Sequence, residues 1–264
     1  MTKNGPFALF FHTLVVIFML APMVVVCLVA FTPENTLSMP WNGFSLRWFK
    51  AVFAHNDFMT SFSNSLKLAF FSATISTLLA VPSGLAIAQY KFRGRDALNA
   101  LFLSPLIIPH LVLGVAFLRL FSLMGLTGSF AWLVATHVIV VTPYALRLIL
   151  ASLSGMDRNA ENAARTLGAG EWTVFRRVTL PLLLPGLSGG WLLAFINSFD
   201  ELTMSIFVTS PSTVTLPVRM YMYASESIDP MMAAVSALMI LVATVTMVII
   251  DRLFGLDRVL VGKG

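Results

Sequence analysis

The sequence is poor in charged residues, and this scarcity excludes an ordinary soluble protein. Charged side chains make up 11% of the 264 residues, whereas hydrophobic ones make up 58%, and the mean hydropathy is +0.86. Charged residues make up about a quarter of a soluble domain. This chain therefore has too few of them to cover a water-facing surface. The composition therefore predicts an integral membrane protein.

Cysteine and closely spaced histidines are also scarce, which argues against a disulfide framework and a metal centre. Cys27 is the single cysteine, so no intrachain disulfide is possible. The four histidines lack the spacing of metal ligands and are expected to be polar packing residues. They are His12, His55, His110 and His137.

The elements that catalysis requires are missing as well. No Ser/His/Asp or Cys/His arrangement stands out in the sequence. The C-terminal stretch from Gly255 to Lys263 has the wrong spacing for a phosphate-binding loop, and Gly264 stands where Ser or Thr is needed. We therefore expect neither an enzyme nor a cofactor bound to this chain.

Long apolar runs are what the sequence has in abundance. Each is long enough to cross a bilayer, which takes about 20 residues as a helix, and none alternates with the period of a barrel strand. The expected fold class is an all-α membrane protein with about six transmembrane helices, the first of them a retained anchor. The runs cover Phe7–Phe31, Phe62–Tyr90, Ala100–Met124, Phe130–Leu153, Leu182–Val208 and Met231–Leu253.

Lysine and arginine are concentrated on one side of this topology. By the positive-inside rule, the loops after the second and fourth runs lie in the cytoplasm, and so do both termini. The net charge of +5 reflects this asymmetry and gives no reason to expect a nucleic-acid partner. The basic residues of the two loops are Lys91, Arg93, Arg95, Arg158, Arg165, Arg176 and Arg177.

The loop between the fourth and fifth runs reads as two short helices separated by glycine. Asp157 is a candidate N-cap, and Gly168 suits the left-handed position that ends a helix. Glu171 favours the positive end of a second helix dipole, and Pro181 and Pro185 are expected to mark the entry into the fifth run. Such a loop fits either a protrusion that docks in another protein's cleft or an amphipathic hairpin on the bilayer surface.

This loop resembles the EAA loop of type I ABC importer permeases, which docks on the ATPase subunit. The family pattern is Glu-Ala-Ala, then Gly, then a Leu-Pro pair further on. Here Asn162 stands at the Glu position with Glu161 just before it, and the matching residues are Ala163, Ala164, Gly168, Leu180 and Pro181. The resemblance implies ATPase contacts at Glu161, Asn162, Ala163, Ala164, Leu167, Gly168, Ala169, Phe175 and Pro181.

The chain looks most like permeases of the spermidine/putrescine type. The supporting segments are 91–95, 104–109, 137–144, 198–201, 205–211 and 215–217. The resemblance implies an N-terminal transmembrane helix and periplasmic loop in residues 1–60, an importer core in 61–252 and a cytoplasmic tail in 253–264. It also implies transport of a small organic solute, with a polyamine or related cationic amine as the best expectation.

The partners implied by this resemblance supply what the chain lacks. They are an ATP-binding-cassette ATPase dimer that binds ATP and Mg, a second homologous permease subunit and a periplasmic solute-binding protein. The implied location is the bacterial inner membrane, where lipid surrounds a multi-pass chain.

An acidic pair, Asp200 and Glu201, lies inside the fifth apolar run. A charge at the centre of a bilayer costs about 2.5–3.5 kcal/mol on insertion scales, which favours a functional role. On a helix, adjacent residues point about 100° apart, so the two carboxylates would face different directions. The predicted substrate path comprises Asp200, Glu201, Phe199, Asn197 and His110. The alternatives are interhelical polar contacts with Arg219 or Asn197 and a position near the outer interface.

Two other functions compete with an importer permease. An ion-coupled secondary transporter of a small solute would show inverted repeats and paired interrupted helices, which the sequence does not display. A membrane scaffold would have no use for buried carboxylates.

Overall fold

The computed structural model describes residues 5–254, which form helices joined by loops. Five helices are long and apolar enough to cross a membrane, and a bent pair raises the number to 6 if it counts as one span. The long helices are α1 (Pro6–Val29), α3 (Asn56–Gln89), α6 (Phe130–Ser154), α9 (Leu180–Phe199, continuing a helix that starts at Glu171) and α12 (Met231–Phe254). The predicted all-α membrane fold is confirmed.

The third predicted run does not form one straight helix. α4 (Arg95–Leu103) leads into a 3-10 turn over Ser104–Leu106, and α5 (His110–Met124) leaves the break at an angle of 98°. Pro105 and Pro109 lie at the bend. Proline interrupts a helix because it has no N–H and crowds the preceding turn. The run predicted over Ala100–Met124 is therefore a bent pair of helices, and the prolines account for the interruption.

The remaining helices are short. They are α2 (Arg47–Ala54), α7 (Asn159–Thr166), α8 (Glu171–Val174), α10 (Ser205–Val208) and α11 (Leu216–Glu226). α7 and α8 lie in the loop before the fifth span, and α10 follows the end of that span. These three short helices position the two candidate sites.

Prolines also lie inside long helices without breaking them. α3 runs through Pro82 without a break, and Pro181 and Pro185 lie within a helix that has already begun at Glu171. Between α8 and α9 the chain makes a π-helical turn over Phe175–Thr179. This wider turn directly precedes Pro181 and relieves the crowding that its ring would cause in a regular α-helix.

The described residues divide into two compact units, and the first comprises 5–60 and 219–243. In this unit Phe58 is buried, with its ring 5.1 Å from that of His55 and 5.4 Å from that of Tyr223. Arg219 pairs with Asp57 at 3.3 Å. No residue of α1 is buried, as in a helix facing lipid.

The second unit comprises residues 61–218 and 244–254, and its main contact is α6 against α9. Glycines allow the two helices to approach closely. A Cβ on Gly190 would lie 3.1 Å from the carbonyl oxygen of Ala145, and one on Gly186 would lie 2.4 Å from the Cβ of Ser152. Small residues at such contacts are typical of helix pairs in membranes.

The two units reflect how the helices pack, and they do not test the predicted domain boundaries, which stay predictions. The importer core expected in 61–252 spans parts of both units. The tail expected in 253–264 lies almost entirely outside the described residues, and so do both chain ends, whose cytoplasmic location was predicted.

Candidate functional site

The loop before the fifth span contains the first of the two predicted short helices, α7, whereas the second, α8, continues without a break into α9. Asp157 accepts a hydrogen bond from the N–H of Asn159 at 2.9 Å, which satisfies one of the free donors at the start of α7. Gly168 has φ +85, the left-handed conformation expected for the residue that ends the helix. The N–H of Gly168 bonds to the carbonyl of Arg165, and the N–H of Ala169 to that of Ala164. This pair of bonds is a Schellman motif, and it fixes the turn between α7 and α8.

An ion pair connects α7 to α8 across this glycine turn. The Nε of Arg165 donates to Oε1 of Glu171 at 2.9 Å, and its Nη2 donates to Oε2 at 3.1 Å. The two parallel bonds fix the orientation of both side chains. The hydrogen-bonded carboxylate also raises the pKa of Arg165 above its ordinary value, so the guanidinium stays charged.

The outer face of the loop presents large apolar side chains to solvent. Leu167 is 88% exposed and Trp172 is 70% exposed. Trp172 stacks on Phe175 with ring centroids 5.6 Å apart. Ala160 and Ala163 are exposed as well. Exposed apolar residues at the tip of a polar loop are typical of a surface that a partner covers.

The inner face of the same loop is held by a carboxylate. Glu161 is 1% exposed, and its Oε1 accepts hydrogen bonds from Oγ1 of Thr179 at 2.5 Å and from Nε2 of Gln89 at 3.4 Å. Its neighbour Asn162 is exposed, with its side-chain oxygen 3.3 Å from Nη1 of Arg165. Of the two candidates for the family's Glu position, Asn162 therefore faces outward and Glu161 faces the chain itself.

The acidic pair lies beyond the fifth helix rather than inside it. α9 ends at Phe199, so Asp200 is the first residue after the helix and Glu201 lies in the loop that leads to α10. The expected 100° separation on a helix is therefore wrong. The apolar residues after the pair concealed the break, because they belong to α10 instead of to a continued span.

Glu201 is buried and fully engaged. Its carboxylate accepts hydrogen bonds from the N–H of Met204, from the N–H of Ser205 and from the hydroxyl of Ser205, each at 2.8 Å. It thus caps the start of α10. His110 lies at the rim of this cluster, with its Nδ1 3.4 Å from Oε1 of Glu201.

His137 connects the same cluster to two helices. It is fully buried in α6, with Nδ1 2.8 Å from the hydroxyl of Ser198 and Nε2 3.0 Å from that of Ser205. Because the Ser205 proton is donated to Glu201, Nε2 carries a proton and Nδ1 accepts from Ser198 in the neutral ring. The histidine is a polar packing residue, as the sequence analysis expected.

An open concavity of about 230 Å³ lies beside this cluster. Asp200 contributes an exposed carboxylate and Asn197 a half-buried amide. The lining residues are His110, Ile196, Asn197, Asp200, Glu201, Leu202 and Thr203. Four of the five predicted path residues line this concavity.

Phe199, the fifth of the predicted path residues, is placed elsewhere. It is 3% exposed and stacks on Phe195 with ring centroids 6.0 Å apart, while Phe62 meets it edge-on at 6.3 Å. Its aromatic ring therefore packs the helix bundle and does not face the concavity.

Comparison with known proteins gives consistent matches. Residues 80–255 match the family described as "Binding-protein-dependent transport system inner membrane component". The chain is 29% identical over 248 residues to the spermidine/putrescine transport system permease protein PotC of Escherichia coli, covering 94% of this chain and 93% of that protein. It is 36% identical over 225 residues to the molybdenum transport system permease protein ModB of Mycobacterium bovis, covering 78% and 85%.

A solved structure shows the same fold. A chain of a bacterial ABC transporter involved in the import of the acidic polysaccharide alginate superposes with a TM-score of 0.68. The match covers 96% of both chains at 16% sequence identity. At this identity the likeness concerns the fold alone.

Proposed function

This chain belongs to the family of binding-protein-dependent inner membrane transport components and is a permease subunit of an ABC importer, and from this membership we propose that it carries a small organic cation into the cytoplasm. The proposed solute is a polyamine or a related amine, taken from the periplasm. A separate subunit binds ATP and Mg and hydrolyses the ATP. Because the chain belongs to this family, the alternative of an ion-coupled secondary transporter is rejected.

The exposed carboxylate of Asp200 is the observation that supports a cationic solute. A carboxylate at a protein surface attracts an amine about 4 Å away by about 4 kcal/mol, against about 1 kcal/mol in bulk water. Glu201 has no comparable freedom, because its carboxylate is committed to α10. PotC supports a polyamine by its name, whereas ModB shows that a related permease serves a molybdenum system. The assignment to this chain therefore depends on Asp200.

The outer face of the loop supports an ATPase partner. Leu167 and Trp172 would be covered in a groove of the ATPase subunit, and Arg165 with Glu171 would keep the two short helices in one orientation. The complete importer would contain an ATPase dimer, a second homologous permease subunit and a periplasmic solute-binding protein.

Replacing the exposed leucine of this face tests the docking. We expect Leu167→Asp to reduce the ATPase recovered with the affinity-purified permease by about tenfold or more, because a buried unpaired carboxylate costs several kcal/mol. Leu37→Asp is the matched control, since Leu37 is also exposed but lies after α1. Undiminished recovery of the ATPase with Leu167→Asp would refute docking through this face.

The predicted topology is testable with reporter fusions. Fusions after Gly94, at Gly170 and at Gly264 should report a cytoplasmic location, because the basic loops favour that side. Fusions near His55 and Ser212 should report the periplasm. A cytoplasmic signal near His55 would overturn the proposed orientation of both termini.

A further inference from the structure

We propose that Glu161 is a positioning residue that fastens the coupling loop to two transmembrane helices, so that movement of the loop carries both helices with it. Residues 157–178 are here called the coupling loop. The proposal rests on the proposed function, in which an ATPase moves this loop. The contact that carries it, from Glu161 to Thr179 and Gln89, is called the anchor.

The anchor joins three elements, of which α3 is distant in the sequence. Glu161 lies in α7, Thr179 ends the π-helical turn before α9, and Gln89 is the last residue of α3. One carboxylate oxygen receives both donors, at 2.5 Å from Thr179 and 3.4 Å from Gln89. A displacement of α7 therefore pulls directly on the cytoplasmic end of α3 and on the entry to α9.

Burying this carboxylate costs free energy, which favours a specific role for the residue. Glu161 is 1% exposed, and its Oε2 has no hydrogen-bond partner among the described residues. The nearest cation is Arg165, whose Nη1 lies 3.9 Å from Oε2 and whose better bonds go to Glu171. A buried carboxylate with incomplete compensation costs several kcal/mol. A residue serving only to fill space would be apolar at this position.

The two faces of the loop then have separate tasks. Leu167 and Trp172 point outward, where the ATPase would hold them, and Glu161 points inward to the transmembrane helices. Arg165 and Glu171 connect α7 to α8, so the loop moves as one piece. A push received on the outer face is delivered to α3 and α9 through the anchor.

Distance measurement between spin labels tests whether the anchor holds. Labels are placed at Asn159→Cys in α7 and Ala88→Cys in α3, both exposed, in a Cys27→Ser background. In the purified complex with its ATPase, we expect the same narrow distance distribution with and without ATP plus vanadate. Thr179→Val removes the hydroxyl donor at similar volume and should broaden or shift the distribution when nucleotide is added. Thr179→Ser keeps the hydroxyl and should restore the narrow distribution.

Transport measurements test what the anchor does. We expect Thr179→Val to lower uptake of radiolabelled spermidine per assembled complex about fivefold or more, the factor that corresponds to one lost hydrogen bond. ATPase recovered with the permease should stay at the wild-type level. Thr77→Val is the matched control, because the Thr77 hydroxyl bonds to the carbonyl of Ala73 in its own helix. Gln89→Leu provides a second break of the anchor if Thr179→Val reduces the amount of protein.

The outcomes separate this proposal from the proposed function. A Thr179→Val distribution identical to the wild type overturns the anchor, and so does a wild-type distribution that already shifts with nucleotide. Loss of the ATPase from the Thr179→Val complex would overturn it too, by making the residue part of docking. A wild-type complex that takes up no spermidine rules out spermidine as the solute, and the distance measurement still decides on the anchor.

Discussion

Gly168→Val is expected to reduce uptake strongly while the protein remains in the membrane at nearly its normal amount. The backbone φ at this glycine is +85, a conformation that costs a residue with a side chain about 1–2 kcal/mol and a β-branched one more. Valine would force the turn to a negative φ and break the two backbone bonds that end α7. α8 would then point in another direction, and Leu167 and Trp172 would no longer form one surface. Uptake should fall by about tenfold or more.

Gly170→Val provides the control for this substitution. Gly170 lies two residues further along the same loop, with φ −69 and ψ 158, and a Cβ there meets nothing within 4 Å. Valine adopts this backbone conformation without strain, so transport should be largely kept. The measurement is uptake per unit of membrane-inserted protein. Full transport by Gly168→Val at wild-type abundance would show that the left-handed turn is not needed.

The acidic pair is expected to separate into a transport residue and a structural residue. Asp200→Asn should lower uptake per assembled complex by about tenfold or more, because the neutral amide loses the Coulomb attraction for a cation. Assembly should be unchanged, since the Asp200 side chain is exposed. The loaded binding protein should still stimulate the ATPase, because the coupling loop is untouched.

Glu201→Gln should have the opposite profile. The carboxylate accepts three hydrogen bonds through its two oxygens. In the glutamine variant one oxygen becomes an NH₂ group, which cannot accept, so at least one of these donors loses its partner. Each buried group left unsatisfied costs about 1–3 kcal/mol. The amount of assembled complex should fall, whereas uptake per remaining complex should change little.

Equal uptake per complex for Asp200→Asn and wild type would remove Asp200 from the substrate path.

Features set by local rules were predictable from the sequence. Gly168 follows a small-residue helix, and the left-handed turn at such a position needs only its immediate neighbours. The apolar runs predicted the long helices, because a helix must be about 20 residues long to cross a bilayer. Pro105 and Pro109 are a local signal for the bend, but its angle of 98° depends on packing that no local rule supplies.

Features set by distant partners were not predictable in the same way. The resemblance places Glu161 among the ATPase contacts, whereas the residue is buried against the chain itself and bonds to Gln89, far away in sequence. The capping role of Glu201 was hidden because the apolar character continues through α10 and suggests an unbroken span. A carboxylate followed at three and four residues by N–H groups of a new helix is the local signal that was available.

The π-helical turn over Phe175–Thr179 makes the length of this segment matter as much as its composition. Such a turn amounts to one residue added to an α-helix. Deleting one residue from the α-helical winding beside this turn, with the π turn itself kept, would rotate everything on the loop side by about 100° relative to α9. Leu167 and Trp172 would then turn away from the position that the transmembrane helices give them. The number of α-helical residues between Glu171 and Pro181 therefore sets the angle of the loop, and a chain one residue shorter there would present a different face.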